Sequence, residues 1–248
     1  MSPRGKSDVT ELDIGRPPRQ RTPRPRMTTA HFTRLFFSNP YALFYAVMAI
    51  GLTIGTAILF GLSPGMVAAT LASLALLALL EYLIHRFVLH NQIFYRHPVT
   101  ARIWRHLHYE HHMSPTETAS MIGPPQYAIP VMLIVTVALG WPIGGMPGAA
   151  AAVAIGFWLV LAYEYAHAYA HLVTDPKWPY GKMLRHAHML HHFHNEKGNF
   201  GVTSPLFDLV FGTYYTDPAK VARCPTAKNL GYTAEQARRY PWAGEGDA

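Results

Sequence analysis

Four stretches of this chain are long enough and apolar enough to decide its solvent. Residues 41–60 hold no charge, residues 64–84 hold one (Glu81), residues 126–146 none and residues 147–166 one (Glu164). Each has the roughly 20 residues with which a helix crosses about 30 Å of hydrocarbon. Helices of a soluble bundle carry a polar face, and these have none, so the runs predict transmembrane helices. Short links rich in Gly and Pro join them in pairs: Gly61-Leu62-Ser63 in the first and the stretch from Trp141 to Gly148 in the second. Both read as tight turns. The expected fold is all-α, with four transmembrane helices in two hairpins.

The basic residues sort to one side of that scheme. All 21 Lys and Arg fall in three segments, eight in residues 1–34, four in residues 85–125 and nine after residue 166, and neither hairpin turn has any. With four crossings those segments share one face, which the positive-inside rule makes the cytoplasm; in a bacterium the membrane is the inner or plasma membrane. Both termini are expected on that side. Residues 1–34 include a Pro/Arg run from Arg16 to Arg26 and read as a disordered basic tail that at most touches anionic headgroups. Nothing later in the chain points to nucleic acid. Residues 35–217 form the membrane domain, and residues 218–248 a C-terminal cytoplasmic tail with a short helix near Thr233 to Arg239.

On the same side lie fourteen of the fifteen histidines, all between residues 85 and 194. They fall in boxes: His85 and His90; His108, His111 and His112; His167 and His171; His188, His191 and His192. Positions i, i+3 and i+4 share a helical face, so each triplet presents three imidazoles together and His167 with His171 presents two. His85 and His90 are about 140° apart on an ideal helix. That pair either straddles a helix end or reaches two different ions. Ten imidazoles packed charged would repel, and packed neutral they need acceptors or a Lewis acid. Metal meets both needs, and ten ligands divide naturally over two ions.

Imidazole suits iron, zinc, copper or nickel rather than magnesium or calcium. Two nitrogen-rich ions point to redox work, in which paired iron binds dioxygen and attacks an unactivated C–H bond; zinc also enters such sites. The single cysteine, Cys224, excludes a disulfide framework and Cys-ligated zinc or iron–sulfur centres. Glu81 stands four residues before His85 and Glu164 three before His167. A carboxylate inside a membrane needs a partner, and the second N–H of a ligating imidazole is the partner expected here. Glu110 reads as a solvated or hydrogen-bonded neighbour of the boxes.

In this order the boxes resemble the fatty acid hydroxylase/sterol desaturase superfamily of integral membrane di-metal oxygenases, and within it the fatty acid 2-hydroxylases. The match runs from about Glu81 to Tyr214, and takes in Gly123-Pro124-Pro125, the stretch from Asn199 to Ser204, and Leu206-Phe207-Asp208. The resemblance implies that the ten box histidines ligate two irons in a cytoplasmic helical cap, with His106, His186 and His194 as the nearest substitutes. It implies O2 as co-substrate and hydroxylation of a lipid from the bilayer, on an acyl chain near its carboxyl end, in a fatty acid or a sphingolipid. Some eukaryotic members carry a fused cytochrome domain with a His-Pro-Gly-Gly motif. Here His97-Pro98 continues as Val99-Thr100, so a separate electron donor (ferredoxin, cytochrome or reductase) is expected. Close variants of the boxes serve carotenoid ring hydroxylases and sterol oxidases or desaturases, which stay open as alternatives. A metal transporter would hold its ligands near the bilayer midplane, whereas these fall at span ends and beyond.

Overall fold

The structure, a computed structural model, describes residues 27–115 and 122–244. The Pro/Arg run lies outside the described residues, and among them the fold is entirely helical. Helix α1 (Thr29–Ser38) begins inside the stretch expected to be a tail. Its Phe32 and Phe36 stand one turn apart and bury on one face, 5.0 and 5.1 Å from the ring of Tyr165. That aromatic pair gives the segment an apolar face, which the neighbouring prolines and arginines had masked.

Asn39 caps α2 (Pro40–Phe60) by accepting the N–H groups of Tyr41 and Ala42, with Pro40 at the first helical position, where its missing N–H is harmless. Gly61, at φ +63°, ends α2, and the Ser63 hydroxyl caps α3 (Pro64–Ile84) by accepting the N–H of Met66. The first expected hairpin turn is therefore built from a positive-φ glycine and an N-cap serine.

Both remaining apolar runs fall within α6 (Pro125–Leu172), which is 48 residues long. Its backbone leaves helical geometry at Gly144 and Gly145, and Gly145 sits at φ +59°, which glycine adopts without penalty. The two halves lie against each other: Gly140 meets Gly148 and Ala152, and Gly156 meets Met132 and Thr136. Three helices, Pro40–Phe60, Pro64–Leu89 and Pro125–Leu172, are long and apolar enough to cross a membrane. Their outward faces are apolar too, with Ile58, Leu59 and Ile134 more than 70% exposed. Such a surface is costly in water, at about 25 cal/mol per Å². It belongs in hydrocarbon, and this is a membrane protein.

Beyond the ends of α3 and α6 the chain builds a cap. Its pieces are a π turn (His85–Leu89), a 3-10 turn (Gln92–Arg96), α4 (Pro98–Trp104), a second π turn (Arg105–Tyr109), α5 (Glu110–Met113), α7 (Pro179–Phe193), α8 (Leu206–Val210) and α9 (Ala234–Arg239). The segment after Asp217, expected to be a tail, is part of this cap. Leu230 and Tyr232 bury against Tyr95 and Trp104, and the Trp242 indole N–H donates to the Tyr95 carbonyl at 3.1 Å.

Candidate metal centre

The end of α3 widens instead of running out as an α-helix. In the π turn the N–H of His90 reaches the carbonyl of His85, five residues back, at 3.2 Å. The extra residue in that turn swings His90 round beside His85, ring centroids 4.9 Å apart, although α-helical geometry holds positions i and i+5 on different faces. The pair thus straddles a helix end, and both histidines fall in one group. A second π turn leads into α5 and presents His108. His167 and His171 lie in the last turns of α6, and His188, His191 and His192 on α7.

The ten box histidines converge as two groups of five: His85, His90, His108, His112 and His191; and His111, His167, His171, His188 and His192. Within each group one ring nitrogen per residue lies within 4.8 Å of all the others. The triplets are divided between the groups. His108 and His112 join one while His111 joins the other, and His188 and His192 join one while His191 joins the other. Nε2 atoms stand 2.8 Å apart for His90 and His108, 2.8 Å for His111 and His167, and 2.8 Å for His171 and His188. Two nitrogens at right angles on one ion, each about 2.0–2.1 Å from it, stand roughly 3 Å apart, so this is the spacing of ligands.

His85, His112 and His191 test the fit most directly. Each commits Nδ1–H to a backbone carbonyl, of Phe200 at 2.5 Å, Ala227 at 2.8 Å and Gly198 at 2.7 Å respectively. The Nε2 of each is then buried with no hydrogen-bond partner. Leaving a buried acceptor unsatisfied costs about 1–3 kcal/mol, and three of them in one group fit a Lewis acid. Burial, and after it the neighbouring imidazoles, holds His90, His108, His111, His188, His191 and His192 well below the usual histidine pKa. Burial brings His112 down to about 3 against the opposing pull of the Ala227 carbonyl. These imidazoles are neutral at pH 7, the form that binds a metal.

Glu81 and Glu164 do not make the contacts their spacing suggested. Instead of an imidazole, Glu81 accepts the N–H groups of Val202 (2.6 Å) and Thr203 (2.8 Å) and the Thr203 hydroxyl. Glu164 accepts the N–H of Gly123 at 3.1 Å. The reason is positional: loop N–H groups come within reach of both acids, and the Nδ1–H of His85 is already taken by Phe200. Glu110 binds the Arg105 Nε–H at 2.7 Å and stands 3.2 Å from His106. His186 and His194 face the carbonyls of Thr216 and Val221 at 2.8 and 2.7 Å, outside both groups. Sequence reasoning gave no role to Asp208. It is 1% exposed and accepts the N–H groups of Phe200 (2.9 Å) and Gly201 (2.6 Å) and the Thr213 hydroxyl (2.6 Å). Its signal was a lone acid set between Leu206-Phe207 and Leu209-Val210, a setting in which a carboxylate is buried only with partners.

A cavity of about 940 Å³ reaches both groups. Leu74, Val131, Val135 and Leu159 line its apolar part; His85, His108 and His167 line it where the groups meet it, beside Arg105, Tyr109 and Tyr163.

Comparison with known proteins places this arrangement. The family model described as "Fatty acid hydroxylase" matches residues 70–213. A dihydroceramide fatty acyl 2-hydroxylase of Arabidopsis thaliana is 34% identical over 141 residues, covering 54% of this chain and 55% of that protein. The fatty acid 2-hydroxylase of Homo sapiens is 30% identical over 143 residues, covering 55% of this chain and 36% of that protein. The chain thus matches about half or less of these relatives' lengths. Among solved structures, full-length scs7p, of which only the hydroxylase domain is visible, superposes with a TM-score of 0.58 at 23% identity, over 78% of this chain and 68% of that one. That likeness is one of fold.

Proposed function

The chain belongs to the fatty acid hydroxylase family, and on that premise we propose that it is a membrane-bound di-iron enzyme using O2 to hydroxylate a lipid C–H bond. The observation that carries this reading is the cavity of about 940 Å³, lined both by apolar side chains of α3 and α6 and by histidines of both five-histidine groups. An acyl chain laid along Leu74, Val131 and Val135 brings carbons near its polar end beside His85 and His167. This supports oxidation of an acyl chain close to its carboxyl end, in a fatty acid or a sphingolipid.

The ten histidines named above would hold the two ions, and iron is among the metals that all-imidazole donor sets suit. Bound there, an iron pair would supply activation of dioxygen and abstraction of a hydrogen atom. The protein's part is to present neutral, fixed imidazoles and to keep the acyl chain in an apolar channel away from water. Electrons come from a separate donor, a ferredoxin, cytochrome or reductase. The membrane is crossed four times with both termini cytoplasmic. The backbone break at Gly144 and Gly145 supports the second turn, and the lack of Lys and Arg in either turn supports the orientation.

The test joins metal analysis to product analysis on detergent-purified protein. Two irons per chain are expected, together with a 2-hydroxylated fatty acid or ceramide that carries label from isotopic dioxygen when a reduced donor is supplied. Iron-loaded protein that labels no fatty acid or ceramide would rule the activity out.

A further inference from the structure

The two histidine groups are held differently. In the first, backbone carbonyls fix the Nδ1 atoms of His85, His112 and His191. In the second, the Nδ1 atoms of His111, His171, His188 and His192 are buried and have no hydrogen-bond partner among the described residues. One peptide group shows how the fixing is done. The carbonyl of Phe200 accepts from His85 Nδ1, and the N–H of that same peptide, on Gly201, donates to Asp208 Oδ2 at 2.6 Å. The other Asp208 oxygen takes the Phe200 N–H and the Thr213 hydroxyl. Thr213 in turn accepts the N–H of Asn199 at 3.0 Å, in the peptide whose Gly198 carbonyl holds His191.

We propose that Asp208 is a positioning residue for the His85 group alone, its charge relayed to His85 through the Gly201 peptide. A carboxylate on a peptide N–H polarises the carbonyl at the other end of that peptide and makes it a stronger acceptor. A stronger acceptor on Nδ1–H makes Nε2 a better donor to a metal and selects the tautomer in which Nε2 is free. No comparable carbonyl fixes the Nδ1 atoms of His111, His171, His188 and His192, four of the five histidines of the second group, so the ion in the His85 group is held more tightly than its neighbour. The fit around the relay is close: a carbon added at Gly201 would stand 2.9 Å from Asp208 Oδ2.

The proposal rests on the two-metal reading above, and the experiment separates the two. Full-length protein loaded with isotopically enriched iron is challenged with a chelator, and release per chain is followed. Two phases of equal amplitude are expected. Asp208→Asn, which keeps the shape and removes the charge, is expected to weaken only the slowly released ion, by about 10–100-fold as other outer contacts to ligating histidines do. It is also expected to shift one of the two Mössbauer doublets and leave the other in place. Should Asp208→Asn fail to fold, two ligand variants decide: His188→Ala is expected to keep the slow phase and His85→Ala to lose it. A single release phase in the native protein, or a variant that loosens both ions alike, overturns the proposal while the two-metal reading stands. Protein that binds no stoichiometric metal overturns that reading and this one with it.

Discussion

His111 and His112 are neighbours in the chain and serve different groups, as do His191 and His192. Successive residues on a helix point about 100° apart, so one short segment supplies both sides of a paired site. Single substitutions should therefore be separable. His191→Ala and His192→Ala are each expected to lower metal content from two ions per chain to about one, from different groups, while His186→Ala keeps both; elemental analysis of purified protein reads this directly. Glu81→Ala removes an acceptor that holds three donors, two of them backbone. At about 1.5–3 kcal/mol for a hydrogen bond to a charged group, a stability loss of about 3 kcal/mol or more is expected, measurable as a lowered melting temperature. The grouping potential of the histidines was legible because spacing on a helix fixes which side chains share a face. The partners of the acids were not. Spacing describes neighbours along one helix, whereas Val202 comes to Glu81 from 121 residues away.

At the scale of elements, length and turn chemistry were readable and the widening of helices was not. The apolar runs, Gly61 and Ser63 announced the first hairpin, and the glycines after Trp141 announced the break in α6. The π turn at His85–Leu89 escaped because the angular argument assumes 3.6 residues per turn, and a turn closing on the fifth residue changes the angle itself. Close approach within α6 makes a testable claim. A carbon on Gly140 would stand 2.5 Å from the Gly148 carbonyl oxygen and 2.7 Å from Ala152 Cβ, whereas one on Gly51 meets nothing within 4 Å. Gly140→Leu is expected to destabilise by about 1–3 kcal/mol, the usual cost of overpacking, and Gly51→Ala to melt like the native protein in the same detergent.

Across the whole molecule, the cavity and the buried imidazoles set two behaviours. Val131→Trp narrows the apolar part of the cavity, and in a binding or turnover series over acyl chain lengths the optimum is expected to move to shorter chains. Acid acts through the histidines. Unfolded, they take up protons near pH 6.5; folded, His108, His191 and His192 do so only well below that, and His112 at about 3. In that interval the unfolded chain binds more protons, so stability falls as pH falls below about 6.5, and metal is lost in the same direction because ligands must be unprotonated. A lower melting temperature and lower metal content at pH 5 than at pH 7.5 are expected; identical values would contradict neutral burial.

The carbonyl that fixes His112 belongs to Ala227, and this gives the molecule an order of construction. A ribosome delivers the chain from its N-terminus, so all ten box histidines have been made before that acceptor exists. A nascent chain can thread its apolar helices into the bilayer while His112 still lacks its anchor. Only when the segment around Ala227 folds back over the cap is the cradle of three carbonyls complete, so the His85 group reaches its finished form after every histidine in it has been made.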